Sequence, residues 1–68
     1  MVRKDIVVVQ LIYKRQVSGI TSFLSVPLEL RRNWITSRMV TGMAKVVEEF
    51  RGLRGWELVC YYYDNATE

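Results

Sequence analysis

The stretch DIVVVQLIYKRQVSGITSFLSV, residues 5–26, decides the fold of this 68-residue chain. Its first part, residues 5–17, is rich in β-branched and aromatic residues, which favour strands. Ser18 and Gly19 follow, and a second β-like run occupies residues 20–26. Because a two-residue loop of this composition joins the strands of a hairpin, the sequence predicts a hairpin over about residues 5–26.

The apolar pattern of the two runs also predicts the hairpin register. With a Ser-Gly loop, Arg15 lies opposite Ser22 on a face that is otherwise apolar. The pairs on that face are Val17–Ile20, Tyr13–Leu24 and Leu11–Val26. The other face is mostly polar, and a slip by one residue would exchange the two faces. Pro27 cannot donate to a ladder and predicts either the end of the second strand or a sheet edge. Residues 28–30 fit either a strand extension or a first helical turn.

The hydrophobic period changes after Asn33 and predicts a helix over about residues 34–51. Thr36, Ser37 or Asn33 is the expected N-cap, and Gly52 or Gly55 is the expected end. The predicted buried face is the set of apolar residues that recur at spacings of three and four, namely Ile35, Met39, Met43, Val46 and Phe50, with Val47 beside them.

The run WELVCYYYD, residues 56–64, predicts a final strand over about residues 56–63. Strict alternation assigns its residues to two faces, Trp56, Leu58, Cys60 and Tyr62 on one and Glu57, Val59, Tyr61 and Tyr63 on the other. The predicted fold is therefore a single α+β domain of order ββαβ spanning residues 1–68, an antiparallel sheet packed on one amphipathic helix. One helix covers one face of such a sheet, so we expect the other face, which carries part of this aromatic strand, to need a partner.

The C-terminal segment VVEEFRGLRGWELVCYYYD, residues 46–64, resembles a family of short uncharacterised bacterial and phage proteins. Gly55, Trp56, Glu57, Leu58 and Val59 match the family's Gly-Trp-Glu-Leu-Val signature, in which a helix and a Gly-rich turn lead into a final strand. The resemblance covers under a third of the chain and does not include its N-terminal hairpin. The resemblance implies the C-terminal part of the fold, a helix, a turn and a final strand, but the family has no established chemistry. It also suggests a phage-encoded protein.

Composition restricts how so small a chain is stabilised and where it resides. Half of the residues are apolar, one is a cysteine and none is a histidine, so an intramolecular disulfide and a Cys/His zinc site are excluded. A domain of this size is marginally stable alone, which favours oligomerisation. The lone thiol, the absence of a signal-peptide pattern and the absence of a ~20-residue apolar run predict a cytoplasmic protein that does not enter a membrane. No cofactor is expected.

Candidate catalytic residues are few, and the sequence predicts that the protein is not an enzyme. Without histidine, acid–base chemistry falls to a carboxylate, a tyrosine, a lysine or Cys60. Glu57 is the acid that we expect to be partly covered, since it follows Trp56 in the final strand. Cys60 alternates with large apolar residues, so we expect a buried, inert thiol.

The charge distribution indicates a candidate anion site. Residues 1–38 carry a net charge of +5 and residues 39–68 a net charge of −2. Arg31, Arg32 and Arg38 surround the predicted helix start, where free backbone N–H groups and guanidinium groups can bind a phosphate or carboxylate. The alternative is that these arginines are solvated side chains, some of them paired with acids.

The aromatic residues admit three interpretations. They can fill the core, anchor an oligomer interface or stack on bases. We predict Trp34, Trp56, Tyr61 and Tyr63 as interface residues, and Tyr61 and Tyr63 also as neighbours of the arginines in ligand binding. Gly42 within the helix is either tolerated there or marks the close approach of another backbone.

The resulting hypothesis is a non-enzymatic, homo-oligomeric binding or inhibitory protein. Its target would be an anionic small molecule such as a nucleotide, or a partner protein such as a host protein with an acidic surface. A nucleic-acid-binding protein that uses the same residues is the first alternative, and a structural assembly subunit without a ligand is the second.

Overall fold

The computed structural model describes residues 5–64, which form three antiparallel strands and one α-helix. The strands are β1 (Ile6–Val17), β2 (Ile20–Arg31) and β3 (Glu57–Asp64), and the helix is α1 (Ser37–Arg51). A short 3-10 helix, Arg32–Trp34, joins β2 to α1. The sheet order is β2-β1-β3, which confirms a small α+β fold with an open antiparallel sheet.

The β1–β2 hairpin has the register that the sequence predicts. Its pairs include Val17–Ile20, Tyr13–Leu24 and Leu11–Val26. Ser18 and Gly19 have φ angles of 53° and 80°, the two positive values of a type I′ turn. Of the two alternatives for Pro27, the sheet edge is confirmed and the strand end near residue 26 is wrong, because β2 continues through Pro27 and residues 28–30 to Arg31. It can do so because β2 is an edge strand, where a missing N–H is tolerated.

A bulge in β3 overturns the predicted alternation of the last strand. Tyr13 pairs with Leu58 and Ile12 with Cys60, so Val59 is an extra residue on the β3 side. Beyond it Tyr61 pairs with Leu11, a buried residue of the helix-facing side. Leu58 therefore shares its face with Tyr61 and Tyr63, while Cys60 and Tyr62 lie on the other face.

The helix begins three residues later than predicted and buries a different face. Thr36 is its N-cap and accepts a 3.1 Å hydrogen bond from the N–H of Met39. Gly52 ends it with φ 64°, and the Leu53 N–H reaches back to the Glu48 carbonyl at 2.9 Å in a Schellman arrangement. The buried residues of α1 are Val40 and Ala44, with Met43 and Val47 half-buried. The predicted core residues Met39, Val46 and Phe50 are exposed.

The core lies between α1 and one face of the sheet. Its buried side chains come from the helix-facing side of β1 and β2, from α1 and from the turn after α1, and they are Val9, Leu11, Tyr13, Val26, Leu30, Val40, Ala44 and Leu53. Leu58 and Tyr61 of β3 are partly buried and pack against them. The Tyr13 ring is fully buried, and its hydroxyl lies 3.2 Å from the Ala44 carbonyl and 3.3 Å from Glu48 Oε2. Desolvation, followed by the charge of Glu48 and the hydrogen bond to it, raises the Tyr13 pKa to about 12.

No described element covers the second face of the sheet. Gln10 lies near its centre and accepts a hydrogen bond from Ser25 at 2.8 Å while its amide donates to Asp64 at 3.3 Å. Phe23 and Tyr62 are exposed there. The open face thus carries one tyrosine of the aromatic strand and a polar centre.

Candidate anion-binding cleft

An open cleft lies where the 3-10 helix approaches the end of β3. It has a volume of about 380 Å³ and is lined by Val7, Arg32, Ile35 and Tyr63. We call it the Arg32 cleft. Val7 and Tyr63 belong to the helix-facing side of the sheet, and α1 starts only at Ser37. The cleft is therefore the part of that face beyond the N-terminal end of the helix.

The chain between β2 and α1 holds the basic side of the cleft in place. The Arg32 backbone N–H donates to the Asp5 carbonyl at 2.7 Å, which ties the connection to the start of β1. Ile35 then packs against the core and donates its N–H to the Arg32 carbonyl at 3.4 Å. Because these contacts use the backbone of Arg32, they do not depend on its guanidinium group.

The aromatic side of the cleft depends on the bulge at Val59. The bulge places Tyr61 and Tyr63 on the helix-facing side, with ring centroids 6.2 Å apart and planes inclined at 56°. The Tyr61 hydroxyl bonds to Ser37 Oγ at 3.2 Å, and its ring packs against the core. Tyr63 stays 49% exposed, so its ring is accessible to a ligand.

The other predicted arginines lie outside the cleft. Arg31 lines an adjoining depression of about 300 Å³ together with Asp5, Arg32 and Asn33. Arg38 is exposed in the first turn of α1 and lines neither space. Of the predicted ligand residues, the structure thus brings together Arg32 and Tyr63, with Tyr61 adjacent to Tyr63 and Arg31 adjacent to Arg32.

The predicted interface residues divide into two groups. Trp34 and Tyr63 are about half exposed and available for contact. Tyr61 and Trp56 pack against the core, and the Arg15 guanidinium carbon lies 4.7 Å from the centroid of the Trp56 ring. Trp56 therefore packs at the end of the core nearest the β1–β2 turn, with the Arg15 side chain covering its ring.

Two expectations about reactive side chains are wrong. Cys60 is exposed because the bulge directs it to the open face of the sheet. The Glu57 side chain is 75% exposed, and its Oε1 lies 3.9 Å from Lys14 Nζ across the β1–β3 pair. The half-buried acid near the core is Glu48, which was missed because only the fold brings it to Tyr13.

A larger depression, of about 560 Å³, lies beside the turn between α1 and β3. Lys45, Glu48, Glu49 and Arg54 contribute charges of both signs to its lining. Carboxylates in this position oppose the binding of an anion, so the Arg32 cleft, whose four lining residues within the described part of the chain include no acid, fits an anion better.

Within residues 5–64, no group of three or more His, Cys, Asp and Glu side chains is arranged to hold a metal ion. The only α-helix of that segment is not long and apolar enough to cross a membrane. The chain matches no family model, no curated protein and no solved structure.

The sequence pointed to Arg32 and Tyr63 but not to the rest of the cleft. Val7 and Ile35 read as ordinary core residues, since apolar periodicity does not distinguish a covered position from one beyond the end of a helix. The late start of the helix, at Ser37 rather than near residue 34, leaves a cleft beside the half-buried Ile35 and above the buried Val7.

Proposed function

We propose that this chain is a non-enzymatic binding protein and that the Arg32 cleft takes an anionic small molecule carrying an aromatic ring, a ligand of the nucleotide class. The observation that supports the proposal is that a guanidinium group and a half-exposed tyrosine ring line the same cleft. Each comes from a different element, and neither is needed there to fill the core.

The chemistry of the lining fits the two parts of such a ligand. A guanidinium group forms paired, charge-assisted hydrogen bonds with phosphate. A tyrosine ring stacks on a base, which contributes about 1–3 kcal/mol in single-strand binders. Val7 and Ile35 add apolar surface, and the volume is at the lower end of the range for small-molecule sites.

Binding without turnover suits this lining. None of the four described residues of the cleft carries a carboxylate or a thiol, and the chain has no histidine for general acid–base work. A protein that binds an anionic ligand and leaves it unchanged acts by sequestering the ligand or by inhibiting a process that needs it.

The test is a titration of the ¹⁵N-labelled protein with AMP, adenosine and inorganic phosphate, with affinities from calorimetry. We expect AMP to shift the resonances of Arg32, Ile35 and Tyr63, and both fragments to bind more weakly than AMP. Arg32→Ala and Tyr63→Ala should each weaken AMP binding about tenfold, equal to about 1.4 kcal/mol. Arg54→Ala is the matched control, because it removes the same charge outside the cleft.

Salt dependence separates this function from nucleic-acid binding. A mononucleotide has no condensed counterion atmosphere, so its affinity should fall only weakly with salt concentration, whereas binding along a nucleic-acid backbone gives a steep linear fall of log K with log salt concentration. A steep slope with single-stranded oligonucleotides, or an Arg32→Ala protein that binds AMP as tightly as Arg54→Ala, would overturn the proposal. An absence of any shift at millimolar AMP would favour a protein target or an assembly subunit without a ligand.

A further inference from the structure

The helix α1 carries a second apolar stripe that lies largely outside the core. Met39, Met43, Val46 and Phe50 follow one another at spacings of four, three and four residues, within an arc of about 60° at 100° per residue. Met39 is 38% exposed, Val46 55% and Phe50 90%, while Met43 is half-buried at the border of the core. We call these four residues the Met39–Phe50 stripe.

The packing of α1 shows why the stripe stays open. The helix turns Val40 and Ala44 into the core, about 100° around its axis from the stripe. On its far flank, Ser37 and Glu48 contact Tyr61 and Tyr13. The stripe therefore lies on the flank turned away from β3, and no element within residues 5–64 covers it.

An exposed line of this kind differs from scattered surface hydrophobics. Single apolar residues are normal on a protein surface, but contiguous exposed patches mark contact sites. Phe50 is 90% exposed, so its side chain contributes almost no buried apolar surface to the fold of the single chain. Gly42 borders the stripe, and a Cβ atom added there would meet nothing within 4 Å, so another helix has room to approach closely.

We infer that the Met39–Phe50 stripe packs against the same stripe of a second copy of this chain, with the two helices antiparallel about a two-fold axis. Met39 then packs against Phe50 of the partner subunit, and Met43 against Val46 of the partner subunit. Knobs-into-holes packing of this kind brings helix axes to roughly 8–10 Å.

The charges beside the stripe determine the direction of pairing. Arg38, Gly42, Lys45 and Glu49 form the solvent-side flank, and within residues 5–64 neither Arg38 nor Glu49 is in an ion pair. Antiparallel packing places Arg38 beside Glu49 of the partner subunit, twice by symmetry, while Lys45 lies next to the two-fold axis on the side of the helix turned furthest from the stripe. Parallel packing about a two-fold axis would instead place this flank against the opposite flank of the partner helix, where Val40 and Val47 pack into the core, so neither ion pair would form.

This interface does not rest on ligand binding at the Arg32 cleft, since no residue of the stripe lines that cleft. It differs from the aromatic interface expected from the sequence, which used Trp34, Trp56, Tyr61 and Tyr63. It assigns the exposed arginine at the start of α1 to self-association.

The first experiment measures the oligomeric state of the full chain by sedimentation velocity over a range of concentrations. The wild type should dimerise, and Val46→Glu should raise the dimer dissociation constant at least about tenfold. Circular dichroism should show an unchanged fold, because Val46 is exposed in the single chain. Ile20→Glu is the matched control, since Ile20 is 70% exposed on the hairpin and lies outside the stripe, and it should leave the dissociation constant unchanged.

A charge exchange tests the antiparallel geometry. Arg38→Glu and Glu49→Arg should each weaken the dimer, and the double variant should recover most of the wild-type affinity because the two ion pairs re-form with opposite polarity. A wild type that stays monomeric at the concentrations used for NMR would overturn the inference. Equal effects of Val46→Glu and Ile20→Glu, or a double variant as weak as the sum of its parts, would also overturn it.

Discussion

Replacing Tyr13 with phenylalanine should change how the stability of this protein depends on alkaline pH. The substitution keeps the buried ring and removes the hydroxyl that lies within hydrogen-bond distance of the Ala44 carbonyl and Glu48. At neutral pH the loss of one hydrogen bond of this kind costs about 1–2 kcal/mol in the free energy of unfolding.

Above pH 10 a second effect adds to the first in the wild type. The folded protein holds Tyr13 neutral up to a pKa of about 12, whereas the unfolded chain releases the proton near 10.0. The unfolded state therefore binds fewer protons between these values, so the stabilisation from the neutral hydroxyl is complete below pH 10 and is lost as pH rises to 12. Each pH unit is equivalent to about 1.4 kcal/mol, which gives a loss of roughly 2–3 kcal/mol over the interval.

Urea denaturation of the wild type and of Tyr13→Phe, at one protein concentration and at a series of pH values from 7 to 11.5, measures the difference between their free energies of unfolding. The stability gap between wild type and Tyr13→Phe should be constant up to pH 9.5 and then shrink, because the variant lacks the titrating group. Tyr62→Phe provides the control, since it removes the same hydroxyl from a residue that is 52% exposed. A wild-type curve parallel to the Tyr13→Phe curve through pH 11.5 would refute the reasoning.

Three further substitutions have effects that follow from backbone and packing, all measured by urea denaturation. Gly52→Ala should lower the free energy of unfolding by about 1–2 kcal/mol because φ is 64° at this position. The same change at Gly42, which lies within the helix with open space around it, should raise the free energy of unfolding by up to ~1 kcal/mol. A change of the same sign at both glycines would contradict the assigned conformations. Val40→Ala should lose about 2 kcal/mol because the side chain is fully buried, and Val46→Ala, 55% exposed, should stay within about 0.5 kcal/mol when measured on dilute monomer. Thr36→Ala removes the hydroxyl that accepts a hydrogen bond from the Met39 N–H, and it should lower the free energy of unfolding by about 1 kcal/mol. Thr36→Ser keeps a capping hydroxyl and should retain most of the wild-type stability.

The hairpin could be predicted from the sequence because its information is local. A Ser-Gly turn and an alternating pattern on both sides leave one register that buries Leu11 and Tyr13 with their partners. The helix face could not be predicted in the same way. Two apolar stripes overlap on α1, and the more regular one, which ends at Phe50, is the one left outside the core.

The last strand shows a different limit of sequence reasoning. Its alternation is broken by one extra residue, Val59, and nothing in the run of apolar and aromatic residues marks that position. The same bulge places Tyr61 and Tyr63 on the helix-facing side of the sheet and Cys60 on the open face. Half of the candidate cleft therefore depends on a backbone irregularity that hydrophobic periodicity does not encode, while the Arg32 half follows from its place at the end of β2.

Pro27 and the bulge at Val59 have a consequence for the solubility of the protein. The open sheet ends in two edge strands, β2 and β3, and each contains one of these irregularities. A regular edge with an unbroken row of N–H and C=O groups is a template for intermolecular strand addition and amyloid-like growth. Here one edge lacks a donor and the other changes its spacing, so a half-apolar chain keeps both sides of its sheet from extending into neighbouring molecules.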